Sequence, residues 1–175
     1  MAKRHLMRKP TPEQFKAEFD ILWNEPEKYI ELITDRIRQN PSEAPQYSSR
    51  ARAWERLGNL DKALEDFGRS IALKDNVGPR LSRGSILMRM GHHQEALEDF
   101  NRAEALDPDK WVDQWGPLHR ADCHAKLGNE AAALADCARL PDEFWSPGIY
   151  GEPRGNKGEI IAEVRRRARA AKRSS

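Results

Sequence analysis

His119 and Cys123 stand four residues apart, His124 follows directly, and Cys137 lies further along. On a helix, residues four apart share a face, and imidazole with thiolate is a donor set that zinc accepts. Two thiols without a C-x2-C spacing make a poor zinc signature, so Cys123 and Cys137 are expected to be buried as small apolar side chains. No metal and no cofactor are expected. Gly148, Gly151, Gly155 and Gly158 with Lys157 have the composition of a phosphate loop. The order G-x4-G-K-[ST] is missing, however, and no strand is expected before them. Gly84-Ser85 lacks the flanks of a nucleophile elbow, and His92-His93 fall in an expected turn with no nucleophile at a useful spacing. The residue chemistry therefore points away from an enzyme.

Charge is placed with more order. Arg50, Arg83 and Arg120 recur at one slot, and Asp66, Asp99 and Asp136 follow them by 16 residues each. Opposite charges at a fixed offset suggest structural ion pairs repeated across helix hairpins. A second row comprises Arg56, Arg89 and Lys126, each two residues before a glycine (Gly58, Gly91, Gly128). Arg52 lies one helical turn before Arg56, and Ser85 holds the same place before Arg89. Cations at helix ends also complement the helix dipole, which is the alternative reading of this row.

The elements that must position these residues repeat as well. Ala63-Leu64-Glu65-Asp66-Phe67 returns 33 residues later as Ala96-Leu97-Glu98-Asp99-Phe100, and a weaker copy ends in Ala133-Leu134-Ala135-Asp136-Cys137. Self-similarity at this period marks an array of helix hairpins, each burying its apolar face on the next. The expected organisation is a disordered basic tail over 1–10 and a degenerate hairpin over 11–43. Repeats follow over 44–76, 77–109 and 110–141, the last with an insertion around Trp111 and Trp115. An aromatic, Gly- and Pro-rich loop over 142–158 leads to a basic capping helix and tail over 159–175, where Ile160, Ile161, Val164 and Ala168 form an apolar stripe.

The repeats resemble the tetratricopeptide repeat, with its pattern W-x2-L-G-x2-Y, then A-x3-F, then P. Tyr47, Ala51, Trp54, Ala63 and Phe67 carry the resemblance in the first clear unit; Gly84, Leu87, Ala96, Phe100 and Pro108 carry it in the second. The third keeps Ala121, Gly128 and Ala133. The resemblance implies an all-α, right-handed superhelical solenoid with a C-terminal capping helix. It also implies that the second cationic row faces a concave groove, made of Arg52, Arg56, Leu81, Ser85, Met88, Arg89 and Lys126. Some relatives clamp a C-terminal carboxylate with the first arginine row; here Ser49 and Ser82 stand where those relatives have Asn. A second candidate surface comprises Trp111, Trp115, Phe144, Trp145 and Tyr150.

The chain has 175 residues, 38% hydrophobic and 33% charged, with a net charge of +2. Four cations in residues 1–10 and a net +6 over 154–173 leave an acidic body between basic ends. No apolar run approaches the roughly 20 residues of a membrane span, and no signal-like apolar stretch follows the first residues. Two cysteines suit a reducing cytoplasm. The expected function is a non-catalytic adaptor or scaffold that holds a partner protein or peptide, acidic or C-terminal, in the groove, without a membrane. The alternatives are a nucleic-acid-associated protein using its basic termini, a homodimer, or a dedicated immunity-like inhibitor of one other protein.

Overall fold

The computed structural model describes residues 11–113, 115–148 and 151–174. The basic stretch 1–10 and Tyr150 lie outside the described residues. The chain forms two compact units, one up to Asp66 and the other from Phe67 onward. Both are helical, and the fold is all-α in stacked helix-turn-helix pairs.

The first unit holds α1 (Pro12–Asn24), α2 (Pro26–Gln39), α3 (Ala44–Arg56) and the opening turns of α4 (Leu60–Leu73). Proline opens α2, where its missing N–H costs nothing and its φ suits the helix. Tyr29, Ile30, Ile33 and Ile37 are buried on α2, and this stripe packs between α1 and α3. Arg36 donates two hydrogen bonds to Glu18, at 2.9 and 2.7 Å, tying α2 to α1. Ala51 and Ala53 are fully buried on α3, where small side chains let helices approach closely.

The second unit contains α5 (Val77–Arg89), α6 (His93–Leu106), α7 (Pro108–Asp113), α8 (Gly116–Lys126), α9 (Glu130–Ala138), and α10 (Lys157–Ser174). In the α5–α6 hairpin a Cβ at Gly84 would come within 2.6 Å of the buried Phe100 ring, so the repeat's small residue sets the helix spacing. α10 lies on α8 and α9. It buries Ile160, Val164 and Ala168 in one cluster with Leu118, Ala121, Ala125, Ala133, Cys137 and Leu140. The expected capping helix therefore covers an apolar face that would otherwise be open.

The hairpin turns are alike at atomic level. Gly58, Gly91 and Gly128 have φ of 75°, 87° and 77°, where a side chain would be strained. Each turn then closes with paired backbone bonds. Asn59 N donates to Trp54 O at 2.9 Å, His92 N to Leu87 O at 2.9 Å and Asn129 N to His124 O at 2.8 Å. These are the longer bonds of a Schellman cap.

Two details differ from the sequence expectation. The insertion before the third hairpin is the separate short helix α7, because Trp111 supplies it with a fully buried anchor. The loop after α9 contains a minimal antiparallel ladder, β1 (Trp145–Ser146) with β2 (Gly155–Asn156), in which Trp145 faces Asn156 and Ser146 faces Gly155.

Candidate functional site

The proposed groove residues divide between the units, and each unit places its share differently. In the first unit Arg52 and Arg56 are exposed on α3. Arg56 lies with its guanidinium 4.0 Å over the Trp23 ring and donates to the Trp23 carbonyl at 3.0 and 2.6 Å. Trp23 pairs in turn with Phe19, ring centroids 5.7 Å apart, and both rings are about half exposed, at 48% and 50%. A positive charge and two aromatic rings thus meet on one surface. Arg52 has no hydrogen-bond or ion-pair partner among the described residues. Phe19 and Trp23 were missed as site residues from sequence. Their helical spacing of four was legible, but only burial distinguishes a core stripe from an exposed one.

In the second unit the candidates mostly turn inward. Leu81, Ser85 and Met88 were expected as groove floor; they are 6%, 9% and 1% exposed, packed with the other buried side chains of α5. Arg89 is exposed in the last turn of α5. The ammonium of Lys126 sits 3.0 Å from Oδ2 of Asp122, whose side chain is fully buried. Arg167 of α10 holds Oδ1 of the same carboxylate at 2.6 Å and also donates to the Gly151 carbonyl at 2.8 Å. Lys126 therefore offsets a buried anion by charge, while Asp122 Oδ2 accepts no well-aligned hydrogen bond, and removal of Lys126 would leave that oxygen without its ion-pair partner.

The first arginine row makes contacts across hairpins. Arg50 Nε and Nη2 each donate to Asp66 at 2.7 Å, and Nη1 donates to Thr34 at 3.1 Å. Arg83 holds Asp99 at 2.6 and 2.7 Å, and Arg80 joins it at 2.7 Å. Arg120 holds Asp136 at 2.9 and 2.6 Å and reaches Glu104 at 2.5 Å. Burial opposes the charge on Arg120, but Asp136 and Glu104 outweigh it and raise its pKa. Guanidiniums saturated in this way have few donors left for a partner's carboxylate.

The second candidate surface splits apart. Trp111 is wholly buried, with the guanidiniums of Arg120 and Arg139 at 4.4 and 4.5 Å from its ring centroid. Trp115 packs edge-on to Phe144 at 5.3 Å, both half-buried against the α8–α10 core. Trp115 also holds a φ of 68°, a left-handed conformation costly for a side chain with Cβ. Trp145 is 54% exposed on β1.

No group of three His, Cys, Asp or Glu side chains is placed to hold a metal among the described residues. Burial pushes the Cys123 thiol up to about 12 and the Cys137 thiol up to about 11. Thiols so far from ionisation at neutral pH are poor ligands and poor nucleophiles. His119 has its ring 6.0 Å from Phe100 and an unpartnered buried Nδ1, and burial lowers its pKa despite the opposing charges of Glu152 and Asp122. Among the described residues no helix is long and apolar enough to cross a membrane.

A tetratricopeptide repeat family model matches residues 81–110, which run from within α5 through α6 into the start of α7. No curated protein sequence matches the chain. A tetratricopeptide repeat protein from Parabacteroides merdae ATCC 43184 is similar in structure, with a TM-score of 0.64 at 18% identity. That likeness covers 91% of this chain and 56% of the other, so this chain spans little more than half of that structure's length. The crystal structure of MamA gives a TM-score of 0.66 at 14% identity, covering 96% of this chain and 98% of that one. The fold is a tetratricopeptide-type helical repeat. Within it, the slots that define the repeat are occupied by packing residues, with Gly84 against Phe100 as the clearest case. The exposed and chemically distinctive residues lie elsewhere.

Proposed function

We propose that this chain is a non-catalytic, cytoplasmic interaction scaffold and a member of the tetratricopeptide repeat family. It captures an acidic peptide that carries an apolar anchor. The observation that supports this is the surface of the first unit, where the exposed Arg56 lies over the half-exposed ring of Trp23, Trp23 pairs with Phe19, and Arg52 is exposed one helical turn earlier on α3. Two aromatic faces offer an anchor site, and aromatic and arginine side chains are the types that dominate interface energetics. The flanking guanidiniums supply charge selection and steering.

An array of immobilised acidic 12-residue peptides, each with one central Leu, Phe or Trp, tests this. The full chain should retain a subset of these peptides, with retention weakening as salt rises. Arg52→Ala/Arg56→Ala should lower both retention and its salt dependence, and Trp23→Ala should lower retention with the salt dependence kept. Lys126 is left intact in this test, since Asp122 depends on it. Unchanged retention by the double arginine variant would remove the proposal.

A further inference from the structure

The outer side of α10 presents a shallow depression lined by Ala162, Arg165, Arg166, Arg169, Ala170 and Arg173. These positions are spaced 3, 1, 3, 1 and 3 residues apart, so they form one continuous stripe. The stripe lies opposite the buried residues Ile160, Val164 and Ala168, and all six side chains are exposed. Its charge is only partly used inside the protein. Arg166 pairs with Glu163 at 2.6 Å, and Arg169 lies 3.6 Å from Glu130. Arg165 and Arg173 have no partner among the described residues. Glu163 is shared with Arg167 at 2.7 Å, so the nearest acid is already divided between two guanidiniums.

We infer that this face of α10 is a sequence-independent binding site for the phosphate backbone of nucleic acid. Arg165, Arg169 and Arg173 follow each other by four residues, which places a guanidinium about every 6 Å along the axis. Guanidiniums match phosphate oxygens in paired hydrogen bonds. The methyl groups of Ala162 and Ala170 leave the space between the arginines open, so the backbone lies in the depression rather than across the tips. An acidic protein surface is the competing occupant. A protein interface of useful affinity is centred on a buried apolar or aromatic anchor, and the stripe contains no side chain larger than Ala that is not charged. The site is independent of the peptide surface on α1 and α3, and its loss leaves that function in place.

The test is fluorescence anisotropy of the full chain with two unrelated 20-base-pair duplexes between 50 and 200 mM salt. Both duplexes should bind alike. Four phosphate contacts predict a logarithmic salt slope of about −3.6, an affinity loss of about 150-fold over that range. Arg165→Gln/Arg173→Gln uses only the two unpartnered arginines, so folding is preserved, as circular dichroism will verify. It should reduce the magnitude of the slope by about 1.8. Extending the change to Arg166→Gln and Arg169→Gln should remove the remainder of that contribution. A slope unmoved by the four substitutions overturns the inference, as does a marked preference between the duplexes. Displacement of the DNA by polyglutamate at equal charge concentration also overturns it, in favour of an acidic protein partner.

Discussion

Replacing Trp111 with Ala separates two roles for this residue, an interaction surface and a structural post. The ring is fully buried, with the guanidiniums of Arg120 on α8 and Arg139 at the end of α9 at 4.4 and 4.5 Å from its centroid. A buried aromatic side chain withdraws roughly 150–250 Å² from water, worth about 4–6 kcal/mol at 25 cal/mol per Å². Two corrections follow. Trp111 Nε1 is buried with no hydrogen-bond partner, and deleting it recovers on the order of 1–2 kcal/mol of desolvation cost. The two arginines keep their carboxylate partners, Asp136 and Glu104, so little ion-pair energy is lost with the ring. The net expectation is a destabilisation of about 3 kcal/mol, the low end for a Trp-to-Ala change in a core. For a chain of this length that lowers Tm by about 6–12 °C. Thermal and urea unfolding followed at 222 nm provide the assay, with Trp145→Ala as the exposed control, expected to shift Tm by no more than about 2 °C. A Trp111→Ala variant as stable as that control would refute the burial argument and return Trp111 to the surface.

Asp99 accepts hydrogen bonds from both Arg80 and Arg83 at 1% exposure; Asp99→Ala strands Arg83 while Arg80 keeps Asp75, and should cost about 3 kcal/mol by urea unfolding. Asp35→Ala, which breaks an exposed pair with Arg38, should leave the urea midpoint unchanged. Acid should weaken the fold in two stages. Burial lowers the pKa of His93, His119 and His124, so the unfolded chain takes up these protons first, and stability falls as pH drops below the ordinary histidine value. Hydrogen bonds from Arg166, and from Arg167 against the cost of burial, hold Glu163 down at about 2. Its contribution is complete above the ordinary carboxylate value and disappears as pH falls from there towards 2. Urea midpoints should therefore be lower at pH 5.5 than at pH 7.5, with a smaller difference in His119→Gln; equal midpoints at the two pH values would contradict the burial of these rings.

The array itself was legible because its signals are local. A 33-residue period, a glycine at each turn and Ala opposite Phe all act within one hairpin, where helix geometry and a left-handed cap leave little choice. The ion-paired slots had the same source, since an offset of 16 residues spans the second half of one helix, a turn and the first half of the next. Tertiary structure decided which of the remaining cations and aromatics face water. Lys126 and Arg56 occupy equivalent repeat positions, yet one is drawn to the buried carboxylate of Asp122 and the other rests on Trp23. Trp111 and Trp23 have the same side chain, and one is wholly buried while the other is half exposed. Asp122 is compensated by Arg167, 45 residues away on a helix outside the repeat. Repeat position dictates backbone and packing, because those depend on residues a turn or a hairpin apart. Availability for binding depends on what packs on each side chain from distant segments, and no local pattern carries that information.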